Sequence, residues 1–306
     1  MESLVQIKRQ IDSIRKTSQI TNAMRLVSTA KYNQIQEKAK DYDIYMEAVR
    51  RMVRDLMQAS LYDMPDTIWL PDVSEEALSF QDLYQRNPQK KTGYLIITTD
   101  KGLAGNYNNQ MLQSFEERLH VAHASLEEVV VFAIGEPIIK YCRKHGIEVA
   151  YQHQHLPDYP SYTQVQEIIQ TAIKLYQNHV YDRLIIGYHH AINILASEVR
   201  LEPFLPLEGL LEEQTEPAQA SIQYRIEPSA ELVINDLLRQ YAESQIYGAI
   251  IDAKTAEQAS RMQAMSQATN NAQEMIQALQ LKYNQARQVS ITNELLDIIN
   301  GSANKE

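Results

Sequence analysis

Cysteine is nearly absent. Cys142 is the only one in 306 residues, so no internal disulfide can form, a reducing compartment is the better match, and a structural zinc site would need other ligands. Glycine and proline are scarce, at 9 and 10, which together with a 44% hydrophobic content excludes a collagen-like or wholly disordered chain. Long apolar runs are missing too. The longest, VVVFAI at 129–134, has six residues, whereas a membrane-spanning helix needs roughly 20. The opening MESLVQIKRQ lacks the apolar core of a secretory signal, so neither a spanning helix nor a leader is expected.

The net charge of -10 is unevenly spread. Residues 1–58 carry 11 Lys/Arg against 7 Asp/Glu, residues 230–306 carry 6 against 9, and the middle holds the remaining acidic excess. The acidic total argues against nucleic acid as a partner, while the basic stripe at the start suits an acidic protein surface.

From Glu2 to about Ala59 there is no proline or glycine, and apolar or small residues recur in steps of three and four: Leu4, Ile7, Ile11, Ile14, Thr21, Met24, Val27, Tyr42, Tyr45, Val49, Met52 and Leu56. That spacing predicts one long amphipathic helix, weakest between Ala30 and Lys40. At 1.5 Å per residue it would run for about 85 Å, so it needs a partner along its length. After Pro228 the chain to Asn300 holds only Gly248 and no proline, with Ala256, Ala259, Met265, Ala272, Ile276, Leu279, Tyr283, Ala286 and Val289 on a helical stripe. An antiparallel coiled coil made from the two termini is the economical arrangement. Periodicity alone leaves a second one open, in which both helices belong to a compact bundle.

In the middle, strand signals replace the helical period. GYLIITTD at 93–100, VVVFAIG at 129–135 and YDRLIIGY at 181–188 read as buried strands, with a smaller strand at 147–151. Helices are expected at 108–121, over EPIIKYCRKHG, and at 162–178. That alternation predicts a largely parallel β/α sheet. ILASEVRLEPFLPL and ASIQYRIEP suggest an antiparallel edge around a polar loop. The segments 61–91 and 208–219 read as exposed connections, with a short helix at 75–86 and Trp69 as a local packing anchor. The division is a helix at 1–60, a connecting segment at 61–91, a Rossmann-like α/β domain at 92–227, a helix at 228–300 and a tail at 301–306.

Few residues promise chemistry. Gly102 and Gly105 follow a strand, but DKGLAGNYNN has neither the three glycines of a dinucleotide fingerprint nor the Lys-Ser/Thr of a phosphate loop. Tight turning explains them better. His153 and His155 would share a face if extended, without companions at metal-binding spacing. His189 and His190 are expected just past a strand end, with no nucleophile elbow nearby, and read as solvated or edge histidines. Cys142 reads as buried filler on an apolar helix face. The termini say more. SIRKTSQITNAMRLVSTAKY sets Arg15, Lys16, Arg25 and Lys31 around an internal stripe of Ile20, Met24 and Val27. YNQARQVSITNELLDIINGS leaves Arg287, Gln288, Thr292, Asn293 and Glu294 as polar groups on a packed helix.

Nearly end to end, the sequence resembles the gamma subunit of F-type ATP synthases. LVQIKRQIDSIRKTSQITNAMRLVSTAK is similar to that family's N-terminal signature, EQASRMQAMSQATNNAQEMIQALQLKYNQARQVSITNELLDIINGSA to its C-terminal one, and TDKGLAGNYNN to the turn after the first strand, with Ala104 and Asn106 in place of a Cys and a Gly. The resemblance implies a rotor shaft: the paired termini pass up the axis of a ring of three alpha and three beta subunits, and the α/β domain is a foot meeting the epsilon subunit and the membrane c-ring. It implies that Met24 and Arg25 lie near the acidic lever of a beta subunit, and that Arg287, Gln288, Thr292 and Glu294 touch the beta catch region. It further implies no catalytic, cofactor-binding or metal-binding residue, no direct nucleotide binding, and a peripheral position on the cytoplasmic side of a bacterial cell membrane.

Two other classes make different demands. A soluble β/α enzyme or nucleotide module would need a phosphate loop or convergent acid and base groups. A coiled-coil adaptor explains the termini but not the match at QITNAM and ARQVSITNELL.

Overall fold

The computed structural model describes residues 3–63, 91–207, 227 and 230–303. The expected helix at 75–86, Trp69, the 208–219 loop and the strand over ASIQYRIEP fall outside the described residues, apart from Glu227.

Helix α1 runs Leu4–Asp63. It starts at a capping box, in which the Gln6 amide donates to Ser3 Oγ at 3.2 Å and the Ser3 amide donates to Gln6 Oε1 at 3.0 Å. Then follow β1 (Thr92–Ile97), α2 (Tyr107–Ala122), β2 (Val129–Ile134), α3 (Glu136–His145), β3 (Glu148–His153), α4 (Tyr162–Gln177), β4 (Arg183–Ala191), β5 (Ser197–Leu205) and α5 (Ala230–Ala303). Ser161 and Gln164 make a second capping box at α4, and Gly146, in the left-handed region, ends α3.

The strands form one sheet in the order β3-β2-β1-β4-β5, parallel except for β5, which pairs antiparallel with β4. Sequence-adjacent side chains go to opposite faces. Leu95, Ile97, Phe132, Ile134, Leu184 and Ile186 meet α4 on one face; Tyr94, Ile96, Val129, Val131, Ala133 and Ile185 meet α2 and α3 on the other. β1 and β2 are buried at every position, which is why their sequence reads as continuous apolar runs rather than alternating ones. Among the described residues, no helix is long and apolar enough to cross a membrane.

The chain separates into two compact units, one of residues 1–30 with 260–306 and one of residues 31–259. In the larger unit, Ile35, Val49 and Val53 of α1 and Leu238, Ala242, Ile246 and Ile250 of α5 join the core on the α4 face. Tyr42 donates to the Ser244 carbonyl, and Gln240 Nε2 donates to the Tyr45 hydroxyl at 2.5 Å. As the α1 number rises the α5 number falls, so the two run antiparallel. The fold is thus a Rossmann-like α/β sheet with long antiparallel N- and C-terminal helices.

The smaller unit is a pair of helices whose seam follows a largely three-four alternation. On α1 the buried or half-buried positions include Leu4, Ile7, Ile11, Ile14, Ser18, Thr21, Arg25 and Ser28, with Met24 and Thr29 beside them; on α5 they include Met265, Thr269, Ala272, Ile276, Leu279, Tyr283, Ala286 and Ser290. The Thr21 and Thr269 hydroxyls touch at 2.7 Å in the buried interior. That contact sets the register, with Ile14 opposite Ile276 and Ile7 opposite Tyr283.

Here one expectation is overturned. Ile20 and Val27, read as an internal stripe with Met24, are 61% and 54% exposed, and Val289 is exposed as well. The reason is register: the seam is held by Ser18, Thr21 and Ser28, so Ile20 and Val27, each next to a seam residue, turn outward. Each threonine also faces its own backbone, Thr21 toward the Ser18 carbonyl and Thr269 toward that of Met265. A hydroxyl has one proton, so one threonine bonds the backbone and the other bonds its partner. Thr21→Val and Thr269→Val are each expected to cost about 1 kcal/mol, and the double variant little more than either, a coupling readable from urea unfolding of all four proteins.

Candidate functional site

The candidate partner contacts lie in the smaller unit. Met24 and Arg25 are half-buried near the seam, where Arg25 Nε and Nη2 donate to Asn22 Oδ1 at 3.3 and 3.1 Å. Arg287, Gln288, Thr292 and Glu294 are exposed on α5, and Thr292 Oγ1 donates to the Gln288 carbonyl at 2.9 Å. The structure does not gather all six into one pocket. With Thr21 against Thr269, the Arg287 position lies about 32 Å farther along α5 from the layer beside Met24 and Arg25. They lie at two separate places on one helix pair. Around the second, Val289, Ile291, Leu295 and Leu296 are also exposed. The pair therefore buries Ile7 and Ile11 beside Thr21 and Ser28 while leaving other large apolar side chains, Ile20, Val27, Leu295 and Leu296 among them, on its outer faces.

In the larger unit, the place to look for a ligand is the crevice at the carboxyl ends of the strands, where the strand order reverses between β1 and β4. Its anion positions are taken by the chain's own carboxylates. Asp100, just after β1, accepts from the Glu136 amide in the first turn of α3 at 3.1 Å and from the His155 amide at 2.7 Å. It sits where a phosphate would meet the helix terminus. Gly135 opens the approach with a φ of 95°. Nearby, Asp158 accepts from Lys31 Nζ of α1 at 2.6 Å and from Lys101 Nζ of the glycine turn at 3.0 Å, with Gln258 Nε2 of α5 at 3.4 Å.

Burial alone would raise the Asp158 carboxyl, but hydrogen bonding to Lys31 and Lys101 overrides it and brings the pKa down to about 2. The native value lies below the unfolded one of about 3.9, so the stabilisation is present above pH 4 and is lost as the pH falls toward 2. Lys101 is exposed and Lys31 half-buried, which discounts the contribution to about 1 kcal/mol. Asp158→Asn is expected to lower the urea midpoint at pH 6, with its difference from the parent protein vanishing near pH 2.

The histidines and the cysteine find structural places. β4 extends to Ala191, so His189 and His190 lie within the strand rather than past it. His189 is neither solvated nor at an edge. It is buried and stacked on Tyr107 at 3.9 Å, and its Nε2–H donates to the Tyr107 carbonyl at 2.8 Å. Burial lowers its pKa against the pull of that carbonyl, so the ring is neutral at physiological pH. Burial also pushes the Cys142 thiol up to about 12, which keeps it protonated. Among the described residues, no three His, Cys, Asp or Glu side chains are grouped to hold a metal ion.

Sequence reasoning missed Asp100 and Asp158. Asp100 had a readable signal, an Asx residue directly after a buried strand. Asp158 had none, because its partners Lys31, Lys101 and Gln258 come from three distant parts of the chain.

A family model described as ATP synthase matches residues 3–304. The ATP synthase gamma chain of Lacticaseibacillus paracasei is 41% identical over 305 residues, covering 99% of this chain and 98% of that one. The ATP synthase gamma chain of Enterococcus faecalis is 41% identical over 304 residues, covering 98% of each. Among solved structures, a chain of the Euglena gracilis mitochondrial ATP synthase rotor superposes with a TM-score of 0.64 at 15% identity, covering 94% of this chain and 98% of that one. A chain of the Tetrahymena thermophila mitochondrial ATP synthase central stalk and c-ring gives 0.57 at 20% identity, covering 81% and 99%.

Proposed function

Because this chain belongs to the family of ATP synthase gamma chains, we propose that it is the central-stalk shaft of a bacterial F-type ATP synthase. It couples ion flow through a membrane c-ring to ATP synthesis or hydrolysis in a ring of three alpha and three beta subunits. The observation that carries this reading is the apolar surface left exposed on the helix pair. A two-helix unit with Ser18, Thr21 and Ser28 in its seam and Ile20, Val27, Leu295 and Leu296 on its outer faces suits a sheath of partner subunits around it.

The shaft acts by differential binding. A body that touched every ring subunit equally would shift none of them, whereas distinct faces stabilise distinct conformations of the surrounding nucleotide sites. Met24 and Arg25 form one such face, toward an acidic beta-subunit lever, and Arg287, Gln288, Thr292 and Glu294 form another, toward the beta catch region. Arg25 suits the first role because its long stem can lie on the helix while the guanidinium reaches an acidic surface. The α/β unit is the foot that meets the epsilon subunit and the c-ring, giving a peripheral station on the cytoplasmic side of the cell membrane. The chain has no active site of its own; nucleotide and magnesium belong to the ring subunits, a division that the filling of the strand-end crevice by Asp100 and Asp158 supports.

Purification of the tagged chain from its native membrane tests the assignment. Recovery with alpha and beta ATPase subunits at three of each per copy is the expected result. A free homo-oligomer with no ring subunits, by native mass measurement, would overturn it.

A further inference from the structure

If this chain is a shaft, torque has to cross from the α/β foot into α5, because one unbroken helix, Ala230–Ala303, carries both its packing on the sheet and the candidate contacts at 287–294. Apolar packing resists that poorly. The core positions of α5 on the α4 face include Ala242, Ile246, Ala249, Ile250 and Ala253, side chains without directional bonds, beside the larger Leu238, Tyr241 and Tyr247. Rotation about an axis is opposed by directional bonds placed at different azimuths, and most strongly by bonds on opposite flanks.

The larger unit contains such bonds. On one flank, Tyr162, the first residue of α4, donates its hydroxyl to Glu243 Oε2. Glu243 is buried, and its other oxygen takes Arg239 Nε at 3.0 Å. One turn on, the Tyr247 hydroxyl donates to the Pro160 carbonyl at 3.1 Å, so the start of α4 holds the same flank twice. On the other flank, Asp252 receives His190 Nδ1 at 2.5 Å and the Ala191 amide at 2.9 Å, both from the end of β4. Glu243 and Asp252 are nine residues apart. At 100° per residue they point about 180° from each other, separated by roughly 13 Å along the axis. Between them in azimuth, the Tyr107 hydroxyl of α2 donates to the Ala253 carbonyl at 3.0 Å.

We propose that Tyr162–Glu243 and His190–Asp252 form a keyed joint that stops α5 from rolling in the foot and carries torque between them. The inference rests on the shaft reading above. These are positioning residues, since none of them touches nucleotide or the coupling ion. Two opposed bonds make a couple, so either one alone still resists rolling through the packing on its far side. Loss of both leaves α5 held by core packing and by the bonds of Tyr247, Tyr107, the Ala191 amide, Tyr42, Tyr45 and Asp158, with the two opposed side-chain keys gone.

The test compares the parent complex with Tyr162→Phe, His190→Phe and the double variant, all assembled in membrane vesicles. On one preparation, ATP hydrolysis, ATP synthesis under an imposed ion gradient, and subunit ratios are measured. The expected result is a ratio of synthesis to hydrolysis within about twofold of the parent for each single variant and about tenfold lower for the double, with subunit ratios retained. Slippage lowers that ratio, whereas simple destabilisation lowers both rates together. His190→Lys in the Tyr162→Phe background supplies a new side-chain bond to Asp252 and should bring the ratio back. An assembled double variant with the parental ratio overturns the joint. If the double variant does not assemble, the lysine variant decides: recovery of assembly and ratio supports the joint, and failure to recover either overturns it. Absence of ring subunits from the parent preparation would instead overturn the shaft reading itself.

Discussion

Replacing Gln288, Thr292 and Glu294 together by Ala is expected to lower both ATP synthesis and hydrolysis by the assembled complex about tenfold, the scale of a coupling free energy of roughly 1.4 kcal/mol. The three side chains are exposed in the helix pair, and the only bond the structure gives among them is Thr292 Oγ1 to the Gln288 carbonyl. That bond competes with the helix ladder rather than adding to it, so the isolated chain should change in stability by about 0.5 kcal/mol or less. Gln288 and Thr292 share a face, whereas Glu294 lies about 200° beyond Thr292, an arrangement suited to partners on more than one side. Rates and subunit ratios are to be measured on the same preparation. Parental rates in a fully assembled triple variant would remove the catch assignment. Loss of the complex would assign these residues to assembly instead.

Gly135→Ala is expected to be the most damaging single substitution for stability, costing about 3 kcal/mol or more. Two independent penalties add. The φ of 95° is a region that side chains rarely adopt, and an added Cβ would stand 2.4 Å from the Thr98 carbonyl oxygen and 2.6 Å from its Oγ1. The carbonyl cannot swing away cheaply, because Thr98 bonds Ile134 through both its amide, at 2.8 Å, and its hydroxyl, at 2.9 Å. Pushing it aside would also disturb Asp100 on the α3 amide. Gly102→Ala is the control: an added Cβ there meets nothing within 4 Å, and the cost should stay near 0.5 kcal/mol. Urea unfolding of both variants at constant pH reads the difference, and equal midpoints would refute the steric account.

Much of the fold was legible in the residues because local pattern and tertiary place agree there. Leu95 and Phe132 alternate with Tyr94 and Val131 across a sheet covered on both faces, so the runs around them are apolar throughout and read as buried strands. Tyr107, Met111, Phe115 and Leu119 recur every four residues, and all four are buried on α2. The absence of proline from both helices and of glycine from α1, with Gly248 alone inside the helical stripe of α5, left the helical period legible over both.

The faces of those helices were a different matter. An apolar stripe shows that some surface will be covered, not which molecule covers it. Ile20 and Val27 make as good a stripe as Ile7 and Ile11, yet only the second pair is buried within this chain. The choice is made by pairing register, which the Thr21–Thr269 contact sets between residues 248 positions apart. Asp158, Asp252 and Glu243 were unreadable for the same reason. A carboxylate in the sequence is a charge with no address, and its role appears only when the fold brings Lys31 and Lys101, His190, or Tyr162 within bonding distance. What the sequence determined by itself was the period of each element, because period depends on neighbours within a few residues. What only the tertiary structure decided was which groups meet, because burial and hydrogen bonding depend on atoms that chain separation does not reveal.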